Sequence, residues 1–291
     1  MKKFLFYIYA IPFFVLGMLP YPVLYMFSNL LYYLAFYVIG YRKKVVYGNI
    51  RNAFPTYTEQ QVEAIAKKFY KHLFDVFLET FKLLTCSAKE LYKKGVYPNF
   101  EVIQPFIDKK QSFIILTGHM GNWEWLPSIW HLEKTVQICG IYHKLSSPFF
   151  EWLTFKMRTR MGVHLFTMEN TLREMVAQRN EFTATGFIAD QTPSAQNAHW
   201  LTFLNQDTPV FIGAEKIAKK FKYPVVYCHV TKPRRGYYEC RLEVLCDDAS
   251  TTDDFYVTNI FHKKLEKDII HQPEIWLWSH RRWKHKRPAK D

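Results

Sequence analysis

The hydrophobic pattern of this 291-residue chain changes character twice. Residues 4–41 carry no charged side chain, and Pro20-Tyr21-Pro22 divides them into two halves of helix length. From Thr58 a helical period takes over. Val62, Ile65, Phe69, Leu73, Val76, Phe77, Phe81 and Leu84 recur three or four residues apart, with charges on the other face. Thr58-Glu59-Gln60-Gln61 has the form of the capping box that opens such a helix. After Pro98, short apolar runs appear at 113–117, 136–142, 182–189 and 224–230. Helical stretches near 147–160, 171–179 and 213–221 separate them, and a last helix covers about 252–270. Strands alternating with helices predict an α/β domain on a mainly parallel sheet. Residues 237–246 read as a late strand, a candidate for antiparallel pairing. There is no internal repeat and no low-complexity linker.

The uncharged stretch is flanked by Lys2 and Lys3 on one side and Arg42, Lys43 and Lys44 on the other. It is too long for the apolar region of a signal peptide, and no small-residue cleavage site closes it. A spanning helix needs about 20 apolar residues. Val23–Tyr41 is nearly that long, whereas Phe4–Leu19 is shorter and contains Pro12. Cations at both ends allow a hairpin with both ends cytoplasmic. They equally allow a pair of helices lying in one leaflet, and packing on the globular part is the plain structural alternative. We expect a membrane anchor over residues 1–44 and an α/β domain over 45–291.

Composition narrows the partners. Hydrophobic residues are 49% and aromatics 18%, which excludes a disordered chain. The formal net charge of +13 implies an anionic partner. The excess is uneven: no acid precedes Glu59, and the tail from His280 to Asp291 carries six Lys/Arg and one acid. No nucleic-acid-binding signature accompanies it, so lipid fits better and no nucleic-acid partner is expected. Cys86, Cys139, Cys228, Cys240 and Cys246 form no CxxC pair and read as reduced packing residues of a cytosolic compartment. His131, His143, His164 and His199 lack zinc-ligand spacing, and there is no P-loop and no GxGxxG.

The stretch FIILTGHMGNWEW, residues 113–125, carries the candidate chemistry. In α/β sheets, sites form beyond the carboxyl ends of strands, and His119 follows the run FIILT after one glycine. On a single helix, five steps of about 100° leave His119 and Glu124 about 140° apart. With His119 in a turn and Glu124 in the first turn of the next helix, the two can meet. Gly118 and Gly121 permit the turn, Asn122 suits an N-cap, and Pro127 requires the helix to begin late or bend. A carboxylate beside a histidine fixes its tautomer, and the free nitrogen then takes a proton from an alcohol or water. The motif has no serine or cysteine nucleophile, so direct transfer to a hydroxyl is the implied reaction. Taken alone, a histidine and a glutamate at this spacing also occur together by chance.

Several separated segments resemble the bacterial lipid A biosynthesis acyltransferases, a family within the His-x4-Asp/Glu glycerolipid acyltransferase group. They are GNIRNAFP (48–55), GHMGNWEW (118–125), KMRTRMG (156–162), ADQTP (189–193), HWLTFLN (199–205) and PEIWLWSHRRWKHKRP (273–288), in the family's order. The chain departs from the pattern at Phe203-Leu204-Asn205, where Phe-Phe-Gly is usual, and by an extra residue between Lys284 and Arg287. The resemblance implies an enzyme on the cytoplasmic face of the bacterial inner membrane. It implies transfer of a fatty acyl chain from acyl carrier protein to a hydroxyl of a lipid A precursor, with no metal or cofactor. His119 is then the general base and Glu124 its orienting carboxylate, with Asn122 beside the substrate. Arg158 holds either the tetrahedral oxyanion or an acceptor phosphate, or is a solvated helix charge. Asp190 either supports the site or caps a turn. Arg281 and Arg282 bind phosphates or the membrane surface, or belong to a basic tail. An aminolipid, phospholipid or glycolipid acceptor would use the same pair, and a non-catalytic lipid-binding protein is the alternative of a different class.

Overall fold

The computed structural model describes residues 2–131, 136–195 and 198–287. Four helices come first: α1 (Lys2–Met18), α2 (Tyr21–Tyr33), extended by a π-helical turn over Leu34–Ile39, α3 (Lys43–Ala53) and α4 (Glu59–Lys82). Short elements follow: α5 (Ala88–Tyr92), β1 (Gly95–Val96) and α6 (Gln104–Asp108). The α/β part comprises β2 (Phe113–Thr117), α7 (Leu126–His131), β3 (Gln137–Tyr142), α8 (Pro148–Thr159), β4 (His164–Thr167), α9 (Thr171–Ala177) and β5 (Thr183–Ile188). It continues with β6 (His199–Phe203), β7 (Gln206–Val210), α10 (Gly213–Phe221), β8 (Val225–Arg234), β9 (Tyr237–Cys246) and α11 (Tyr256–His271).

Seven strands form one sheet in the order β1-β9-β8-β2-β5-β3-β4. All neighbours are parallel except β8 and β9, which form an antiparallel hairpin. The fold is α/β with a mainly parallel sheet, as the alternating pattern predicts. Central β2 is buried at all five positions, because helices cover both faces of a parallel sheet. The short strand β4 was not visible in the apolar runs, since only Phe166 in it is fully buried. The segment HWLTFLN opens a separate β6–β7 hairpin. Its turn places Leu204 at φ 50° and Asn205 at φ 61°, the left-handed region that a two-residue hairpin turn requires. Asparagine tolerates that region better than most side chains, so Asn205 replaces the usual glycine without losing the turn.

The capping box forms as read: Gln61 N–H donates to the Thr58 hydroxyl at 3.3 Å, and Thr58 N–H donates to Gln61 Oε1 at 2.8 Å. The 24-residue helix it opens packs against α1, α2 and α3. One apolar core therefore continues from Leu24 and Phe36 through Phe69 into β2 and β8. The outer faces of the first two helices stay exposed, with Ile11, Val15, Met26, Leu30 and Val38 among them. Tyr21–Ile39 is long and apolar enough to cross a membrane by length and composition.

Candidate active site

The site is built on the connection from β2 to α7. The helix starts only at Leu126, so Pro127 falls in its first turn, where a missing N–H costs no helical bond. Asn122 closes the turn that precedes the helix: its Oδ1 accepts from Trp125 N–H at 3.1 Å. Gly121 has φ +58°, and a Cβ there would stand 2.6 Å from Val230 Cγ1, so both backbone and space require glycine. The C-terminal segment clamps the same turn. Gly121 N–H donates to Ile275 O at 3.0 Å, and Leu277 N–H donates to His119 O at 3.2 Å.

His119 meets Asp190 at the carboxyl end of β5. Its Nδ1 lies 2.5 Å from Asp190 Oδ1, and its backbone N–H donates to Oδ2 at 2.8 Å. Trp276 Nε1–H donates to the same Oδ2 at 2.8 Å. Burial alone raises the Asp190 carboxyl. The His119 charge and these hydrogen bonds outweigh it and hold the group well below the usual carboxylate range. The Gln191 amide lies 3.2 Å from His119 Nε2. Asp190 is thus bonded to both His119 and Trp276.

Glu124 does not hydrogen-bond the imidazole, contrary to the expectation that it orients His119. It forms a two-point ion pair with Arg158, from the last turn of α8, at 2.6 and 2.8 Å. Five residues of separation, spent on a turn, carry Glu124 past His119, while β5 delivers Asp190 directly to Nδ1. Burial lowers the Arg158 guanidinium, and the Glu124 charge more than compensates, so the cation is retained. His119, Glu124, Arg158 and Gln191 all face one cavity of about 1390 Å³. Its remaining wall is largely apolar, including Phe81, Trp130, Ile138, Leu165 and Ile217. Thr117, Tyr142 and Ile188, the last residues of β2, β3 and β5, also line it.

Two other expectations need correcting. Asn122, expected beside the substrate, is fully buried and spends its amide inside the protein, donating to Glu79 Oε2 at 2.8 Å. Arg282 is neither a surface phosphate ligand nor part of a loose tail. It is 1% exposed, and its Nη1 donates to Pro209 O at 2.7 Å. Burial pushes its guanidinium down to about 10, opposed by the charge of Asp190. Arg281, beside it, is exposed. Among the described residues there is no group of three or more His, Cys, Asp and Glu side chains arranged to hold a metal ion.

A sequence model described as bacterial lipid A biosynthesis acyltransferase matches residues 1–285. The chain belongs to this family. It is 22% identical to the lipid A biosynthesis lauroyltransferase of Escherichia coli (strain K12), over 91% of this chain and 87% of that protein. It is 20% identical to a lipid A biosynthesis acyltransferase of Haemophilus influenzae, over 79% of this chain and 72% of that one. It is 19% identical to the palmitoleoyltransferase of the same pathway in Escherichia coli (strain K12), over 91% and 86%. Family membership makes the chain an acyltransferase of lipid A biosynthesis.

Two of the segments that resemble this acyltransferase family fasten the C-terminal segment that closes on the site. In GNIRNAFP, the Asn49 amide donates to Trp278 O at 2.8 Å and His280 O at 3.0 Å, fastening the C-terminal strap that carries Trp276. In ADQTP, Thr192 Oγ1 donates to Arg282 O at 2.6 Å. The sequence reading missed a buried polar row on α4: His72, Asp75 and Glu79. Their spacing of three and four residues puts them on one helix face, a signal that was present beside the apolar stripe.

Proposed function

We propose that this acyltransferase moves a fatty acyl chain from acyl carrier protein to a hydroxyl of a lipid A precursor, with His119 as general base. The observation that carries this reading is the His119–Asp190 pair at the wall of a large apolar cavity. With the Nδ1 proton donated to Asp190, the lone pair lies on Nε2. That nitrogen takes the proton of the acceptor hydroxyl as its oxygen attacks the thioester carbonyl carbon. The new carbon–oxygen bond pushes an electron pair onto the carbonyl oxygen, and the Arg158 cation, held by Glu124, stabilises that charge. Collapse breaks the carbon–sulfur bond, and the leaving thiolate recovers the proton from the imidazolium. The products are an ester and the free carrier thiol. The apolar wall suits the acyl chain. The net charge of +13 suits an acidic carrier and a phosphorylated acceptor.

Residues 1–44 form the membrane anchor in this proposal, at the cytoplasmic face of the bacterial inner membrane. The exposed apolar faces of α1 and α2 favour lipid contact. The polar side of α2 is bonded to the globular part through Tyr25, Ser28 and Asn29. That favours helices lying in one leaflet over a spanning hairpin.

The test is mass spectrometry of lipid A from cells lacking the protein, complemented by wild type or His119→Ala. One acyl chain restored by wild type alone is the expected result. Lipid A that is unchanged on deletion would overturn the assigned acceptor.

A further inference from the structure

The turn that carries His119 is tied to the N-terminal apolar helix through one buried carboxylate. Glu79 of α4 is fully buried. Its Oε1 accepts from the Tyr25 hydroxyl of α2 at 2.7 Å. Its Oε2 accepts from the Asn122 amide at 2.8 Å and from the Tyr238 hydroxyl at 2.7 Å. Its backbone carbonyl accepts from Trp125 Nε1 at 2.9 Å. Asn122 Oδ1 in turn accepts from Trp125 N–H, so Glu79 holds both ends of the segment Asn122–Trp125, one through its side chain and one through its backbone carbonyl. Two helical turns earlier, His72 Nε2 lies 3.2 Å from Gly121 O, and its Nδ1 accepts from Lys232 Nζ at 3.0 Å. α4 therefore grips the catalytic turn at Gly121, Asn122 and Trp125.

α2 bonds to the same polar row of α4. Residues 4–41 contain two polar side chains other than tyrosine, Ser28 and Asn29. Both are engaged here. Ser28 donates to Asp75 Oδ1 at 2.6 Å. Arg235, at the tip of the β8–β9 hairpin, pairs with Asp75 at 2.5 Å and donates to Asn29 Oδ1 at 2.9 Å. The same guanidinium lies 4.3 Å from the Tyr25 ring centroid. Gly236 follows at φ +73°, and a Cβ there would stand 1.9 Å from the Tyr25 hydroxyl. The polar positions of an otherwise apolar helix are thus spent on α4 and on the hairpin tip, with Tyr25 reaching the carboxylate that holds the turn.

We propose that Glu79 is a positioning residue for the acyl-transfer turn, and that through it the docking of α2 against α4 sets the geometry of His119. The proposal rests on His119 being the base. A buried carboxylate holding three donors in fixed directions acts as a hub, so losing one donor shifts the others. A displacement near 1 Å at a reacting group is enough to cost about 10²-fold in rate.

The test uses the full-length protein in detergent, with an acyl carrier protein thioester as donor and a lipid A precursor as acceptor. Tyr25→Phe keeps the ring and removes one hydroxyl. It is expected to lower kcat by roughly 5- to 10-fold, with KM within about twofold and the melting temperature lower by a few degrees. Glu79→Gln sets an amide N–H against a donor and is expected to lower kcat by about 10²-fold. Adding Asn122→Asp reverses that polarity and restores part of the loss. Leu245→Ala, a core substitution outside the network, is the control for plain destabilisation. Tyr25→Phe and Glu79→Gln both within about twofold of wild-type kcat, or losses matched by Leu245→Ala at equal melting temperature, would overturn the proposal while leaving the base assignment intact. Full activity in His119→Ala would overturn the base assignment and this proposal together.

Discussion

Asp190→Asn is the substitution that separates the two carboxylates competing for the orienting role. Asp190 Oδ2 accepts two N–H donors, His119 N at 2.8 Å and Trp276 Nε1 at 2.8 Å. An asparagine must keep its carbonyl oxygen at that corner. Its NH₂ then faces His119 Nδ1, which lies 2.5 Å from Asp190 Oδ1. The ring can only accept there, so its proton moves to Nε2, the nitrogen that in the proposed mechanism must be free to deprotonate the acceptor. The shape is preserved and the tautomer is wrong. An Asp→Asn change of this kind in a hydrolase triad costs roughly 10⁴-fold in kcat. At 1.36 kcal/mol per decade that is about 5 kcal/mol of transition-state stabilisation. The assay is single-turnover acyl transfer with purified protein, alongside His119→Ala, Glu124→Gln and the Asp190→Asn/His119→Ala double variant. If the two groups act as a unit, the double variant is no slower than His119→Ala alone. Folded Asp190→Asn protein within about tenfold of wild type, with Glu124→Gln the crippled variant, would refute the assignment and return the orienting role to Glu124.

Two further outcomes follow from the same geometry. Arg158→Lys keeps a positive charge but cannot hold Glu124 at two points. If Arg158 holds the oxyanion as proposed, kcat should fall about 10²-fold with little change in KM for the donor, measured by steady-state transfer, because one such donor is worth this much. Acid should destabilise the fold in a defined window. Burial first of all pushes His262 and His280 down to about 4, while the unfolded chain protonates near the ordinary histidine value of about 6.5. Between those values only the unfolded state takes up the proton, so stability falls as pH drops from about 6.5 to about 4. His262→Phe should shrink the stability lost between pH 6.5 and pH 5 by roughly 2 kcal/mol, read from urea melts at the two pH values. An unchanged difference would show that His262 is not buried in its neutral form.

Much of this protein was legible in one dimension. Period-two and period-3.6 patterns are local, so β2, β3, β5, β8 and the helices between them could be read from spacing alone. The capping box at Thr58 involves residues three apart and formed as written. His119 stood out because it follows a buried strand after one glycine, and the separated family segments, more than the pair itself, pointed to the reaction class. What the chain alone did not decide was who touches His119. Glu124 was the near carboxylate in sequence. In space, β2 and β5 are parallel neighbours, so the residue at the end of β5, 71 positions later, is the one that reaches Nδ1. Glu124 is left to Arg158, which arrives from α8 across the cavity. Arg282 reads as a surface cation in a basic tail, yet the strap fastened by Asn49 buries it against the β7 backbone. Asp75 and Glu79 read as the solvent side of a helix, until α2 and the β8–β9 hairpin close over them. Local pattern determines which segments are helix or strand, since backbone hydrogen bonding and amphipathic burial act over a few residues. Which polar groups meet is decided by sheet order and helix packing, which join positions that the sequence keeps far apart.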